Sequence, residues 1–309
     1  MRILGVSLVR DEEDIVALNL LFHLSLGLDE ILVVDNGSND ATPQILRKLA
    51  RRTGKVKWTR EDGPYRQPEL TTGLAQEAAR RGATWVMAID ADEFWYPAGN
   101  LHAILADVQA SIVMVEIVNF VQRRSQRTRS ADALLHMTRR VAEPVGPVAQ
   151  TRSMVESRAI AFVEMEYPPK CIARASPTMQ IHAGNHRVTG IEESVHETTS
   201  VQCLHAPLRA YEVLEGKVKQ GERVEASGSF PPTGGWHVRR WKRLAENEEL
   251  ESEWRANSYE DSALDVFGRP ARLVIDHRLR DAIEPFVEPS LAVSRSRRYF
   301  DLSRLRMRL

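Results

Sequence analysis

Asp90 and Asp92 are the residues of this chain whose types and spacing most directly suggest chemistry. They follow an apolar run, Trp85-Val86-Met87-Ala88-Ile89, that reads as a buried strand entered after Gly82. Residues i and i+2 of an extended backbone face the same side, so the two carboxylates are expected to stand together. Two like charges at that spacing are costly unless a cation lies between them. Such a pair suits chelation of a hard divalent ion, Mn²⁺ or Mg²⁺, that also holds phosphate oxygens.

The elements before this pair read as alternating strands and helices. Arg2 to Val9 is strand-like, and Asp11 is placed to cap the helix that follows, with Glu12, Glu13 and Asp14 in its first turn. Ile15, Leu18, Leu21 and Phe22 fall on one face of that helix, and Gly27 stops it. Ile31 to Val34 is a second buried strand ending in Asp35-Asn36-Gly37-Ser38, after which Thr42 and Pro43 fit the N-cap and first position of a second helix closed by Gly54. Val56 to Trp58 makes a third strand and Glu69 to Arg81 a third helix. This order predicts an α/β fold with a mainly parallel sheet flanked by helices. Asp11 and Glu12, Asp35, and Asp90 with Asp92 would then lie at the carboxyl ends of strands, where ligands bind in open α/β sheets. Acidic residues also cap helices and turns, the plainer role for Asp11 or Asp40 taken singly.

Val33-Val34-Asp35-Asn36-Gly37-Ser38-Asn39-Asp40-Ala41-Thr42 resembles the signature of family 2 glycosyltransferases, and Gly5 to Glu13 resembles their first strand and acidic turn. Ile89-Asp90-Ala91-Asp92-Glu93-Phe94 is similar to the D-x-D-E-F form of a bacterial subgroup. The resemblance is dense over residues 3–96 and thinner beyond, where Pro169 to Arg174 and Cys203 to Lys217 are similar to two later blocks. Two family features, the acceptor-side E-D pair and the Q-x-x-R-W block, are not found, which leaves the catalytic base open. The resemblance implies the GT-A fold, a nucleotide-diphosphosugar donor, a glycan, lipid-linked or other hydroxyl acceptor such as a cell-envelope polysaccharide, and inversion at the anomeric centre. It places a metal on Asp92 assisted by Asp90, the base or ribose on Asp35, the nucleoside edge on Glu12 and the diphosphate near Lys170. Glu93 and His182 are the candidates for the base.

The chain has 309 residues, 43% hydrophobic, with no formal net charge. That suits a globular core and removes any general argument for nucleic-acid binding. No apolar run reaches membrane-spanning length and Met1-Arg2-Ile3 leads straight into a strand, so a cytoplasmic protein is expected. Cys171 and Cys203 make no disulfide framework and are expected reduced and packed. Residues 1–230 read as the GT-A domain, with 1–120 the nucleotide half and 121–230 the acceptor half. A linker at Gly228 to Gly235 precedes a helical extension over 236–309.

Past residue 97 the signals are weaker. Ile112 to Val121 is a β-branched strand, and six arginines between Gln122 and Arg140 face a single acid, Asp132, as a solvated loop or a phosphate-meeting flap would. The end, Ser294 to Leu309, interleaves six arginines with apolar residues; this could lie on an anionic membrane surface, mediate an oligomer contact or fray. His182 and His186 are four apart but flanked by Pro177 and Gly184, which argues for strand and loop. A zinc site of Cys171, His182, Cys203 and His205 matches no closed spacing. GT-A enzymes often draw a third metal ligand from late in the chain; His205, in a block similar to the subgroup, is favoured for it over His182, against an ordinary packed or surface role for either.

Two rival functions use other chemistry. A sugar-phosphate nucleotidyltransferase would carry a glycine-rich phosphate loop after the first strand, and Val9-Arg10-Asp11-Glu12 is opposite in character. A non-catalytic nucleotide- or glycan-binding module would not need Asp90 and Asp92 intact.

Overall fold

The computed structural model describes residues 1–146, 148–227, 235–260, 265–266, 269–270 and 273–294. The first elements are β1 (Ile3–Val9), α1 (Val16–Ser25), β2 (Glu30–Asp35), α2 (Thr42–Thr53), β3 (Val56–Arg60), α3 (Gln67–Arg80), β4 (Trp85–Ala88), β5 (Glu93–Pro97) and α4 (Leu101–Ala106). There follow β6 (Ile112–Arg123), β7 (Arg139–Val141), α5 (Val148–Glu156), β8 (Lys170–Arg174), β9 (Gln180–Ile181), β10 (Val188–Thr189), β11 (Val195–His205) and α6 (Tyr211–Ser227). The remainder is α7 (Trp236–Glu246), α8 (Leu250–Ala256), β12 (Ser258–Tyr259), β13 (Asp265–Val266), β14 (Arg269–Pro270), β15 (Leu273–Ile275) and α9 (Arg278–Ser294). The described chain divides into two compact units, one from Met1–Ile117, Pro169–Cys203 and the described part of Ala282–Leu309, the other from the described parts of Val118–Pro168 and Leu204–Asp281.

The first unit is the alternating β/α architecture expected of a GT-A fold. β1 pairs in parallel with β2 and with β4, and β2 in parallel with β3. β8 runs antiparallel to β4, and the first half of β6 antiparallel to β8, so the order is β6-β8-β4-β1-β2-β3. β1 and β4 are buried nearly throughout, which is why their sequences are continuous apolar runs rather than alternations. α1 is buried from Val16 to His23, so its apolar residues are not confined to one stripe. α2 is amphipathic, with Ile45, Leu46 and Leu49 inward, and Gly54 ends it at φ +64, where glycine carries no Cβ penalty. One core cluster joins Leu4, Val6, Val86 and Ala88 of the sheet with Ala75 and Ala78 of α3 and Met179, Ile181 and Val188 around the β9–β10 hairpin.

Two local expectations are corrected. Asp11 does not cap α1, which starts at Val16 after Ile15 with no side-chain cap; its Oδ1 accepts the Asn39 N–H at 2.7 Å instead. Thr42 is already inside α2, and its Oγ1 accepts the Glu12 N–H at 2.9 Å. In both cases a side chain that could bond its own helix end is drawn to a neighbouring loop of the sheet edge.

In the second unit the end of β6 pairs antiparallel with β7 and in parallel with β12, and β15 pairs antiparallel with β7. The segment expected as a helical extension thus contains strands β12 to β15 as well as α7 and α8. The arginine-rich stretch runs through an irregular, partly exposed loop over residues 124–130, and several of its arginines are paired. Arg124 pairs with Glu260, Arg127 with Glu251 at 2.8 Å and Arg140 with Asp276 at 2.9 Å. Arg127 also lies over the Tyr211 ring and Arg139 over Tyr259, 3.7 and 4.6 Å from the ring centroids. Their partners come from more than seventy residues later in the chain, beyond the reach of local reading. Deeper in this unit, Arg240 and Glu253 form an ion pair with both side chains 4% exposed, and Glu253 Oε1 also accepts the Trp241 indole N–H at 3.1 Å. The linker at Gly228 to Gly235 lies almost wholly outside the described residues, and the basic tail from Arg295 onward wholly so. Among the described residues no helix is long and apolar enough to cross a membrane.

Candidate active site

Because β4, β1, β2 and β3 are parallel, their following loops emerge on one edge, and β1 with β4 marks the point where the strand order reverses. The loops after β1 and β2 are stapled together by polar side chains. The backbone N–H groups of Asp11, Glu12 and Glu13 donate to Ser38 Oγ, Thr42 Oγ1 and Asp40 Oδ2 at 2.9, 2.9 and 3.0 Å. In return Asp11 Oδ1 and Glu13 Oε2 accept from the N–H groups of Asn39 and Ala41. The Ser38-Asn39-Asp40-Ala41-Thr42 stretch of the signature therefore builds the rim, and Glu12 is fixed on it through its backbone. Asp35, fully buried at the end of β2, accepts the Ser38 N–H at 3.0 Å and the Arg60 guanidinium at 3.1 Å. Arg60, over a third exposed, also donates to Asp62, so it is one cation that this part of the edge presents.

The Asp90–Asp92 segment is a turn, not the extended strand expected. β4 ends at Ala88, Ile89 donates its N–H to Val6 O and accepts from Ser7 Oγ, and the Glu93 N–H returns to Asp90 O at 3.1 Å before β5 begins. The turn is gathered by Asn19 of α1, whose amide reaches the carbonyls of Asp90, Ala91 and Glu93 at 3.3, 3.0 and 2.7 Å. Behind it, His23 Nδ1 donates to Asn19 O and Nε2 accepts the Trp95 N–H, which requires the neutral ring. Burial pushes His23 down from 6.5 to about 4, partly offset by its bond to Asn19 O. A lowered histidine value means that the unfolded chain takes up the proton first on acidification. His23 therefore contributes no pH-dependent loss above about pH 6.5, and stability should fall by about 3 kcal/mol as pH drops through 4. Urea midpoints of wild type and His23→Gln across pH 7.5 to 4 check this: the two curves should converge as pH falls, and parallel curves would refute it.

The carboxylates meet a cation supplied by the protein. β8 runs antiparallel to β4 with Ile172 opposite Met87, so Lys170 arrives where β4 gives way to the turn. Its ammonium lies 2.7 Å from Asp90 Oδ2, Glu93 Oε1 and Gly184 O, three acceptors for three N–H groups, with the side chain 4% exposed. Asn185 donates to the other oxygen of Asp90 at 3.0 Å. Glu93 is pushed up to about 8, first by burial and then by Asp90 and Asp92, against the pull of Lys170. Burial alone would lower Lys170, but Asp90 and Glu93 outweigh it and hold the ammonium well above its ordinary range. The hairpin carrying Gly184 and Asn185 is fixed by α3: Gln67, Thr72 and Gln76 bond to Gly184, Ile181 and Met179.

This donor set fits a divalent ion bound through one protein carboxylate, and not one chelated by both aspartates. Among the described residues no three His, Cys, Asp or Glu side chains gather as a metal-holding group, so the expected shell of Asp90, Asp92 and His205 is not assembled by side chains alone. Both oxygens of Asp90 already accept hydrogen bonds, one from a cation. Asp92, half-buried in the turn, would hold the ion, since Mg²⁺-type sites often use one carboxylate with phosphate oxygens and water. His205, in the second unit, donates from Nδ1 to Asn119 Oδ1 at 2.8 Å and meets the Tyr167 ring edge-on. His182 is exposed and its Nε2 lies 2.9 Å from Thr189 Oγ1. Asn19, His23, Arg60 and Asn185 were not singled out from sequence; an asparagine after Gly184 is a modest left-handed turn signal, and the others carry none.

Residues 15–160, a little under half of the chain, match the family described as glycosyl transferase family 2. The match contains Asp35, Asp90, Asp92 and Glu93, bears out the resemblance to family 2 glycosyltransferases and supports glycosyltransferase activity. Glu12, Lys170, His182 and His205 lie outside it. No curated protein matches the chain. Among solved structures it is similar to residues 1–349 of TarS from S. aureus, with 12% identity, 97% of this chain and 93% of that chain covered, and a TM-score of 0.37. The same TarS fragment in complex with UDP gives 12%, 97%, 93% and 0.38, and in complex with UDP-GlcNAc 13%, 97%, 93% and 0.39. At that distance no residue or ligand is transferred between them.

Proposed function

We propose that this glycosyltransferase moves a sugar from a nucleotide-diphosphosugar to a hydroxyl of a glycan or lipid-linked acceptor. The observation that carries the reading is the grouping of Asp35 and the Asp90–Asp92 turn at the carboxyl ends of β2 and β4, inside the family-matched segment. Mn²⁺ or Mg²⁺ held by Asp92 would neutralise the charge that develops on the leaving diphosphate. Asp35 holds Arg60 and the Ser38 loop in place, so that this corner receives the base or ribose, with Glu12 along the nucleoside edge. Lys170 acts through Asp90 rather than on the diphosphate, because its three N–H groups are taken within the protein.

Inversion, which the family implies, needs a group that takes the proton from the acceptor hydroxyl. The geometry favours His182 over Glu93. His182 is exposed in the hairpin whose next residues, Gly184 and Asn185, meet Lys170 and Asp90. Glu93 is enclosed against Lys170, with Oε2 buried and without a hydrogen-bond partner among the described residues. The basic tail would suit an anionic membrane surface at the cytoplasmic side, where a lipid-linked acceptor is presented.

A thermal-shift panel of UDP-, GDP- and dTDP-sugars with and without Mn²⁺ tests the reading. One nucleotide class is expected to stabilise the protein in a Mn²⁺-dependent manner and to be turned over to its nucleoside diphosphate. No stabilisation and no release of any nucleoside diphosphate would overturn it.

A further inference from the structure

We propose that Lys170 and Asn185 are positioning residues that clamp the two oxygens of Asp90, with Lys170 as the resident counter-cation of the acidic turn, leaving a bound metal to Asp92. In its donor-binding consequence this rests on the nucleotide-diphosphosugar reading. The clamp itself rests on geometry within one unit. Lys170 Nζ and Asn185 Nδ2 lie 2.7 and 3.0 Å from Oδ2 and Oδ1 of Asp90, and both residues are at most 4% exposed. An acidic side chain held at both oxygens cannot swing to follow an incoming ion. The like charges that would otherwise need a metal are already opposed by an ammonium, so the free protein has little to gain from collecting Mn²⁺.

Asn185 is suited to this task by its backbone. It sits at φ +60, a left-handed conformation that asparagine tolerates and most residues do not, and it follows Gly184 at φ +73. This pair of residues turns the chain between β9 and β10 and aims the amide at Asp90. Glycine at 185 would keep that backbone and delete only the amide, which makes Asn185→Gly a clean probe.

The test uses the full chain. Asn185→Gly is expected to melt within a few degrees of wild type while the Michaelis constant for the donor sugar nucleotide rises about tenfold with kcat changed less than threefold. A merely structural role would move the melting temperature and leave that constant alone. Independently of any donor, Mn²⁺ alone is titrated into free protein and followed by electron paramagnetic resonance. Wild type should leave the Mn²⁺ signal undiminished, whereas Lys170→Met, with its carboxylates unopposed, should quench it. Wild-type protein that binds Mn²⁺ as tightly as Lys170→Met, or Asn185→Gly with an unaltered donor constant, would overturn the clamp. Should no sugar nucleotide bind wild type, the proposed function falls, and the Mn²⁺ titrations alone decide the clamp; if Lys170→Met does not fold, tight Mn²⁺ binding by free wild type refutes it and none supports it.

Discussion

Asp92→Asn is expected to reduce Mn²⁺-supported sugar transfer by about a thousandfold or more and to abolish Mn²⁺-dependent stabilisation by the sugar nucleotide. Removing one preorganised electrostatic partner of a developing anion typically costs two to three orders of magnitude in rate, and here the ion would go with the charge. Asparagine keeps the size of the side chain and one acceptor oxygen, and Asn19 bonds three carbonyls of the turn's backbone. The melting temperature should therefore stay close to wild type. Asp90→Asn should behave differently: it strips Lys170 of a charge partner in a buried place, so that variant loses stability as well as donor affinity. Steady-state kinetics with Mn²⁺ titrated, alongside thermal melts, separates the two. Unchanged Mn²⁺-dependent turnover in Asp92→Asn would remove Asp92 from the metal.

Glu253→Ala is expected to destabilise the second unit by about 3–5 kcal/mol, the usual cost of leaving one member of a buried ion pair alone. The Arg240 guanidinium, 4% exposed, would lose its nearest charge partner, and the Trp241 indole N–H would lose its acceptor. Glu156, whose Oε2 is 3.8 Å from Arg240 Nε and about a third exposed, cannot replace it without drawing inward. Glu253→Gln keeps an acceptor and should lose less. Replacing both members, Arg240→Met with Glu253→Leu, should recover most of the loss, because the expensive state is the unpaired buried charge and not the absence of the pair. Urea unfolding of the three variants measures this, and a Glu253→Ala loss below 1 kcal/mol would show that water or Glu156 already satisfies Arg240.

The sequence alone determined those features whose physical cause is local. Apolar runs of strand length, helical stretches between them and glycines at the stops are enough to read β1 to β4 and α1 to α3, because each pattern reflects burial of the element's own side chains. Asp35 and the Asp90–Asp92 turn were legible for the same reason: acidic residues directly after buried strands must lie at the strands' carboxyl ends, and the family signature runs through the same residues. What these groups bind within the fold was decided only by the tertiary structure. Lys170 lies eighty positions from Asp90, and it reaches that carboxylate because β8 enters the sheet antiparallel beside β4, a pairing that no local periodicity specifies. Asn19, Asn185 and the partners of Arg124, Arg127 and Arg140 share this property: a hydrogen bond or ion pair is short-ranged in space and indifferent to separation along the chain. The extended geometry expected at Asp90–Asp92 failed for a related reason. The side chain of Asn19, on a helix far upstream, bonds three carbonyls at once, and only a turn brings three carbonyls to one amide.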